Sequence, residues 1–246
     1  CPVGQPCSST ISKISAIMGR FLSFANSPSI APGAAECQFP KVFPVDRYDI
    51  IKAAKSREVF SMRKNFGAKA FSYPQPVFII ATYNEDGSAD AMNAAWGGIS
   101  DTTELSVCLS EGHKTVKNLL RTGAFTVSMG DAKHVAACDY VGIASGNNTR
   151  DKLAKAGFTV SKSESVDAPV INELAVCMEC TVKSYDPETG LLVGEIVNVS
   201  VDESAMTDGK VDVAKVAPIT FDPFNNAYHV LGEKVGNAFS DGMALR

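Results

Sequence analysis

The 246-residue chain lacks several features that would assign it quickly. It has no run of about 18 apolar residues, the length a membrane-spanning helix needs. It has no GxGxxG, so a Rossmann-type dinucleotide site is unsupported. Three histidines and no HExxH leave metal-dependent hydrolysis without material. A Ser-His-Asp set and paired catalytic carboxylates are also missing; Glu173 and Glu179 exist, but nothing in the sequence places them together. Basic charge is scarce. A net charge of −4 argues against nucleic acid as the main partner, because binding a phosphate backbone favours a basic face.

The seven cysteines, at 1, 7, 37, 108, 138, 177 and 180, are odd in number and irregular in spacing, unlike a disulfide framework. Cys108 and Cys138 fall in apolar contexts, where a free thiol behaves as a small hydrophobe. The half-motif "CMEC" (177–180) has no second CxxC and no paired histidines. It lies in a segment that reads as a strand, where side chains three apart point to opposite faces. No metal site is expected.

Charge is unevenly spread. Residues 1–61 carry seven Lys/Arg and four Asp/Glu, against 16 and 23 in residues 62–246. The first 35 residues have no acid and seven serines, a pattern like that of a transit peptide or a poorly structured tail. Cys1 is compatible with a processing scar, a fragment start or lipid attachment. The reading divides the chain into an extension, 1–61, and a folded domain, 62–246.

Within that domain, "PVFIIATY" (76–83) reads as a strand buried on both faces or nearly so. "NEDG" (84–87) supplies turn chemistry, with Gly87 able to take positive φ. "ADAMNAAWGG" (89–98) is the returning strand of the hairpin. Strands follow at 105–110 and 124–129. Between them residues 112–123 read as a helix with Val116, Leu119 and Leu120 on one face and Gly123 as C-cap. Short helices are expected over 131–140 and 149–156, then a long hairpin from "VCMECTVKSY" to "LLVGEIVNVSVDE", and a mixed tail. Mainly antiparallel strands with helical insertions predict a closed or partly closed β-barrel rather than a doubly wound sheet.

Two stretches carry candidate chemistry. Ser110, a Gly-bearing turn, then His113, Lys114 and Thr115 at a helix start suit a phosphate: first-turn N–H groups are free and the helix dipole adds positive potential. The spacing is not that of a Walker loop. The alternative is that Thr115 caps the helix and Lys114 is solvated. The second stretch is the run of small residues from 89 to 98, which holds the single tryptophan. Small side chains let a flat ligand lie against the main chain, with Asn93 as donor and acceptor and Trp96 as a wall. The alternative is a tight core where Ala fits a neighbouring helix and Trp96 is core filler. Together the two stretches suggest a planar ring with a phosphate tail, a mononucleotide.

Four segments resemble a known family: "MRKNFGAKAFSYPQPVFIIATYNEDGSADAMNAAWGG", "LSEGHKTVKNLLRTGAFTVS", "DYVGIASGNNTRDKLAKAG" and "YHVLGEKVGNAF". They resemble the flavin reductase-like family that includes flavoredoxin, built on the FMN-binding split β-barrel, over roughly 185 residues from Met62. The resemblance implies non-covalent FMN, and commonly a homodimer with the flavin near the subunit interface. It places Asn93, Ala94, Ala95 and Trp96 along the isoalloxazine ring, largely through backbone, and Ser110, His113, Lys114 and Thr115 at the phosphate. Many relatives have Arg where this chain has His113 or Lys114; Arg grips phosphate bidentately, Lys as a point charge. Lys152 matches a lysine near the cofactor, or else lies on a solvated helix face. Tyr228 and His229 would reach the flavin or the partner, or serve structure. The implied activity is that of an FMN-dependent oxidoreductase, with a flavin reductase using NAD(P)H foremost. A flavoredoxin-type electron carrier reduced by a protein partner and a non-catalytic FMN-binding protein are the alternatives. No nucleic-acid or membrane partner is implied, and a cytoplasmic location is expected.

Overall fold

The computed structural model describes residues 63–246; the extension expected over residues 1–61 lies outside the described residues. The first long strand is as apolar as its sequence promised. β2 (Phe78–Tyr83) follows a two-residue strand β1 (Gln75–Pro76) and is buried along nearly its whole length. Its alternate side chains enter two different cores. Phe78 and Ile80 face one, Ile79 and Ala81 the other, as strand alternation requires.

β3 (Ala89–Ala94) returns beside β2, β4 (Gly97–Asp101) follows, and β5 (Glu104–Cys108) pairs with β4. Helix α1 (Lys114–Thr122) leads into β6 (Ala124–Met129). Helices α2 (Val135–Ile143) and α3 (Lys152–Ala156) precede the short pair β7 (Val160–Lys162) and β8 (Pro169–Ile171). The long hairpin is β9 (Val176–Asp186) with β10 (Leu191–Val201). A minor hairpin, β11 (Met206–Thr207) and β12 (Lys210–Val211), and helix α4 (Val213–Val216) come next. β13 (Ile219–Asp222) and β14 (Ala227–Val230) then form a three-stranded sheet with β1.

The main sheet has the order β3-β2-β6-β9-β10-β5-β4. Its two edge strands, β3 and β4, are separated in sequence by only Ala95 and Trp96. A seven-stranded sheet whose opposite edges are joined by two residues must curl until they meet there, which makes a split barrel. The expected single strand over 89–98 is therefore corrected: it breaks at Ala95–Trp96 and changes edge. Gly97 belongs to this crossing. A Cβ at 97 would stand 2.6 Å from the Ser106 carbonyl oxygen, so β4 approaches β5 more closely than a side chain permits.

Phe125, Val127, Met178, Cys180, Leu105 and Leu192 fill the barrel interior, and Val116 and Leu119 of α1 pack against them. Leu120, expected on the same helix face, is instead 48% exposed. Gly123 caps α1 at φ 71°. Outside the barrel, Ile79, Ala81 and Ala91 pack against Cys138 and Val141 of α2 and Leu153 of α3. α2 starts four residues later than the expected 131–140 and runs to Ile143. Cys138 is buried as expected, but Cys108, at the end of β5, is exposed. On β9 the Cys180 side chain is in the barrel core. Cys177, three residues earlier, shares its face with Glu179 and lies opposite to Cys180, as the strand reading of "CMEC" requires.

Candidate functional site

Within its run of small residues β3 carries two polar side chains, Asp90 and Asn93. Asp90 is only 3% exposed. Its Oδ2 accepts a 2.6 Å hydrogen bond from Thr115 Oγ1. Its Oδ1 lies 3.0 Å from Lys152 Nζ, and both side chains are buried. Lys152 Nζ also donates to the Ala144 carbonyl at 3.2 Å. Breaking a buried pair by removing one partner costs on the order of 3–5 kcal/mol, so this contact fixes the geometry around it. The chain packs tightly on the same carboxylate: a Cβ at Gly146 would fall 2.3 Å from Asp90 Oδ1.

α1 starts directly above this pair. Its N-cap residue is His113, which makes no side-chain capping bond; the His113 N–H donates to the Ser110 carbonyl at 3.1 Å. The first-turn N–H groups that follow have no carbonyl four residues back within the helix, and they carry the positive end of the dipole. Burial, and then the nearby Lys152 ammonium, hold the His113 imidazole below its ordinary pKa, against the opposing pull of Asp90. The ring is thus neutral at neutral pH.

A hollow of about 340 Å³ opens here, lined by Lys114, Asn147, Arg150, Asn84, Glu85 and Asp86. Asn147 Nδ2 donates to the Gly112 carbonyl at 3.0 Å, tying the 144–151 loop to the turn before α1. Arg150 stands 3.7 Å from Asp86 on the exposed rim. The two lysine and arginine cations therefore share the hollow with two carboxylates.

A second hollow, of about 210 Å³, is lined by Asn93, Ala95, Asp139, Ile143, Phe221 and Tyr228. Tyr228 Oη donates to Asp139 Oδ1 at 2.8 Å, and Asn93 Nδ2 donates to the Cys138 carbonyl at 3.1 Å. Burial first, and then the bond to Asp139, raise the Tyr228 phenol pKa, so the phenol is a hydrogen-bond donor and not a base.

The residues singled out in the sequence divide among these places. Lys114 faces the first hollow; Asn93 and Ala95 face the second. Asp90 and Asn93 are three residues apart on β3, about 10 Å along the strand; their side chains leave opposite faces, so it is the β3 main chain that links the two groups. His113, Thr115 and Lys152 gather around Asp90. The Thr115 hydroxyl proton is engaged by Asp90, which leaves its backbone N–H as the group it can offer a ligand. Lys152 is neither on a solvated face nor exposed. Ser110 is exposed. The Ala94 side chain is in the barrel core, so only its main chain can meet a ligand. Trp96 is 48% exposed and is not core filler; its carbonyl accepts from the Cys108 N–H at 2.8 Å. The buried thiols offer no nucleophile: burial pushes Cys138 up to about 11 and Cys180 up to about 12. Glu173 holds Thr159, while Glu179 is buried with Ser163 and Asn198, so the two carboxylates have separate structural partners.

Residues 70–217 match the family model of the flavin reductase like domain. The chain belongs to that family. The flavoredoxin of Desulfovibrio vulgaris (Miyazaki F) is 38% identical, with a TM-score of 0.71, covering 74% of this chain and 100% of that one. The flavoredoxin from Methanosarcina acetivorans is 26% identical, with a TM-score of 0.69, covering 76% of this chain and 100% of that one. An uncharacterized protein of Halalkalibacterium halodurans, BH2278, is 24% identical over 162 residues, 60% of this chain and 77% of the relative. As a flavin reductase-like protein the chain has the split-barrel fold read from its sequence. Asp90 escaped that reading. A lone Asp in a strand has no partner in sequence, and the residues it holds lie 25 and 62 positions away. Asp139 escaped for the same reason, since its partner Tyr228 is 89 positions away.

Proposed function

We propose that this flavin reductase-like protein binds FMN and works as an oxidoreductase, with NAD(P)H as reductant. One observation carries the reading: an uncapped helix start beside Lys114 is tied through Asp90 to the strand that leads into a bare stretch of main chain. The donor set fits the cofactor. The N–H groups opening α1, with Lys114, Asn147 and Arg150 around them, suit a phosphate monoester. At the other end, Ala95 lines the second hollow, and a Cβ at Gly98 would meet nothing within 4 Å, so a flat ring has access to backbone there.

FMN, when bound, supplies hydride and single-electron chemistry. The chain's residues bind and orient it. Lys114 and the helix start hold the phosphate. Main chain from 93 to 96 and the Asn93 side chain meet the ring edge. Tyr228 and Asp139 border the space beside it. A homodimer belongs to the same reading and is supported by exposed Trp96 and Ile99 at the barrel's edge crossing and by exposed Val197 and Val199 on β10. The four described cysteines are free, which suits a reducing compartment such as the cytoplasm. Among the described residues no helix is long and apolar enough to cross a membrane.

The 38% identity to a flavoredoxin favours a second reading, electron transfer from a reduced protein partner. An anaerobic absorption spectrum of the FMN-loaded protein separates the two. Bleaching of the flavin bands by NADPH supports the reductase. Bleaching only by a reduced redox protein supports the carrier. A protein that takes up no FMN contradicts both.

A further inference from the structure

We infer that Asp90 is the positioning residue of the phosphate end of the site: its carboxylate sets the α1 start and the 144–152 segment in one geometry. The inference rests on the FMN reading above.

Two of the three segments that face the first hollow, the α1 start and the 144–152 loop, are attached to this one side chain; the third, the turn at 84–86, has its own partners in Asn118 and Ser88. Thr115, in the first turn of α1, donates to Oδ2 at 2.6 Å. Lys152 pairs with Oδ1 at 3.0 Å and reaches back to Ala144 O at 3.2 Å. Gly146, between those two anchors, packs on the carboxylate with no room for a Cβ. Asn147, next in line, bonds Gly112 in the turn before α1. The loop and the helix are thus held twice, once from beneath by Asp90 and once from above by Asn147. Asp90 itself cannot ligate a phosphate, because two anions repel and its oxygens are already occupied. Its influence on a phosphate is indirect, through the N–H groups of α1 and through Lys114, Asn147 and Arg150.

The pair also sets local charge. Asp90 offsets Lys152, so a buried ammonium stands under the helix start without adding a free positive charge to the hollow. With Asp90 neutral, Lys152 must find another partner, and the nearest carbonyl it already holds is Ala144. The 144–152 segment would follow it and carry Asn147 and Arg150 out of register with α1.

The test compares two flavins that differ only in the phosphate. Asp90→Asn keeps the side chain's size and one acceptor for Thr115 but removes the charge. The full chain and the variant are titrated with FMN and with riboflavin, following flavin fluorescence. The expected result is at least a tenfold loss of FMN affinity in the variant with riboflavin affinity changed less than twofold. Equal losses for both flavins would make Asp90 a general structural residue and overturn the inference, as would no loss for FMN. If Asp90→Asn does not fold, Thr115→Val, which leaves the buried ion pair intact, is measured in the same way. It is expected to lose FMN affinity selectively, and the same two outcomes overturn the inference. A wild-type chain that binds neither flavin removes the FMN reading itself, a result distinct from equal losses in the variant.

Discussion

Lys114 and His113 stand side by side at the start of α1 and are expected to behave differently. Lys114 borders the hollow as an ammonium. Lys114→Ala should weaken FMN binding by about 1 kcal/mol, roughly fivefold, measured by fluorescence titration; unchanged affinity would remove Lys114 from the phosphate site. His113 is held below its ordinary pKa by burial and by the Lys152 charge. The sign of its linkage follows. The unfolded chain, near pKa 6.5, binds a proton more readily than the folded one. The stability His113 contributes is therefore present above about pH 6.5 and lost as pH falls through the lower folded value. NMR titration of the imidazole should find its pKa under about 6.5, rising when FMN is added, because a phosphate dianion favours the imidazolium. A pKa at or above that ordinary value in the flavin-free protein would contradict the burial and the Lys152 charge as the dominant influences on the ring. At this scale the sequence disclosed residue types at the helix start. It could not disclose that the Thr115 hydroxyl is engaged or that Lys152 is buried, because both depend on Asp90, which reaches them only in the folded chain.

At the scale of elements, the decisive feature is the break at Ala95–Trp96, where one edge strand becomes the other. Its small residues have separate explanations. Ala91 packs against α2 and α3, Ala94 faces the barrel, and Gly97 admits the backbone of β5. Gly97→Ala should destabilise the protein by about 1–3 kcal/mol, since the atom it would strike is a backbone carbonyl with little freedom to retreat. A urea denaturation midpoint equal to that of the unsubstituted chain would show that the crossing is looser than described. The strands at 78–83, 124–129 and the long hairpin were legible from apolar runs and turn residues, and α1 from its periodicity and Gly123. The break was not legible, because a run of Ala and Gly carries no alternation to show where a strand ends. The start of α2 was missed for a related reason: its sequence is apolar nearly all round, so periodicity gives no boundary.

At the scale of the molecule, both main cores among the described residues draw their buried members from between Val77 and Ile219. A chain beginning at Met62 is therefore expected to fold and to bind FMN, seen as a cooperative thermal transition that moves upward when FMN is added; an aggregated or colourless product would contradict this. The exposed Trp96, Ile99, Val197 and Val199 should be covered in a homodimer, read as twice the monomer mass by sedimentation. The barrel was legible because antiparallel neighbours dominate the chain, whereas the arrangement around Asp90 was not, since it joins β3, α1 and the 144–152 segment. One FMN molecule is expected to span from the bare main chain at 93–96 to the start of α1. A crystal structure of the protein grown with FMN would show whether it does. The expected result is the ring against residues 93–96 and the phosphate within hydrogen-bond reach of the N–H groups of residues 114 and 115; a flavin bound elsewhere, or protein side chains filling the span between those segments, would overturn the one-ligand reading.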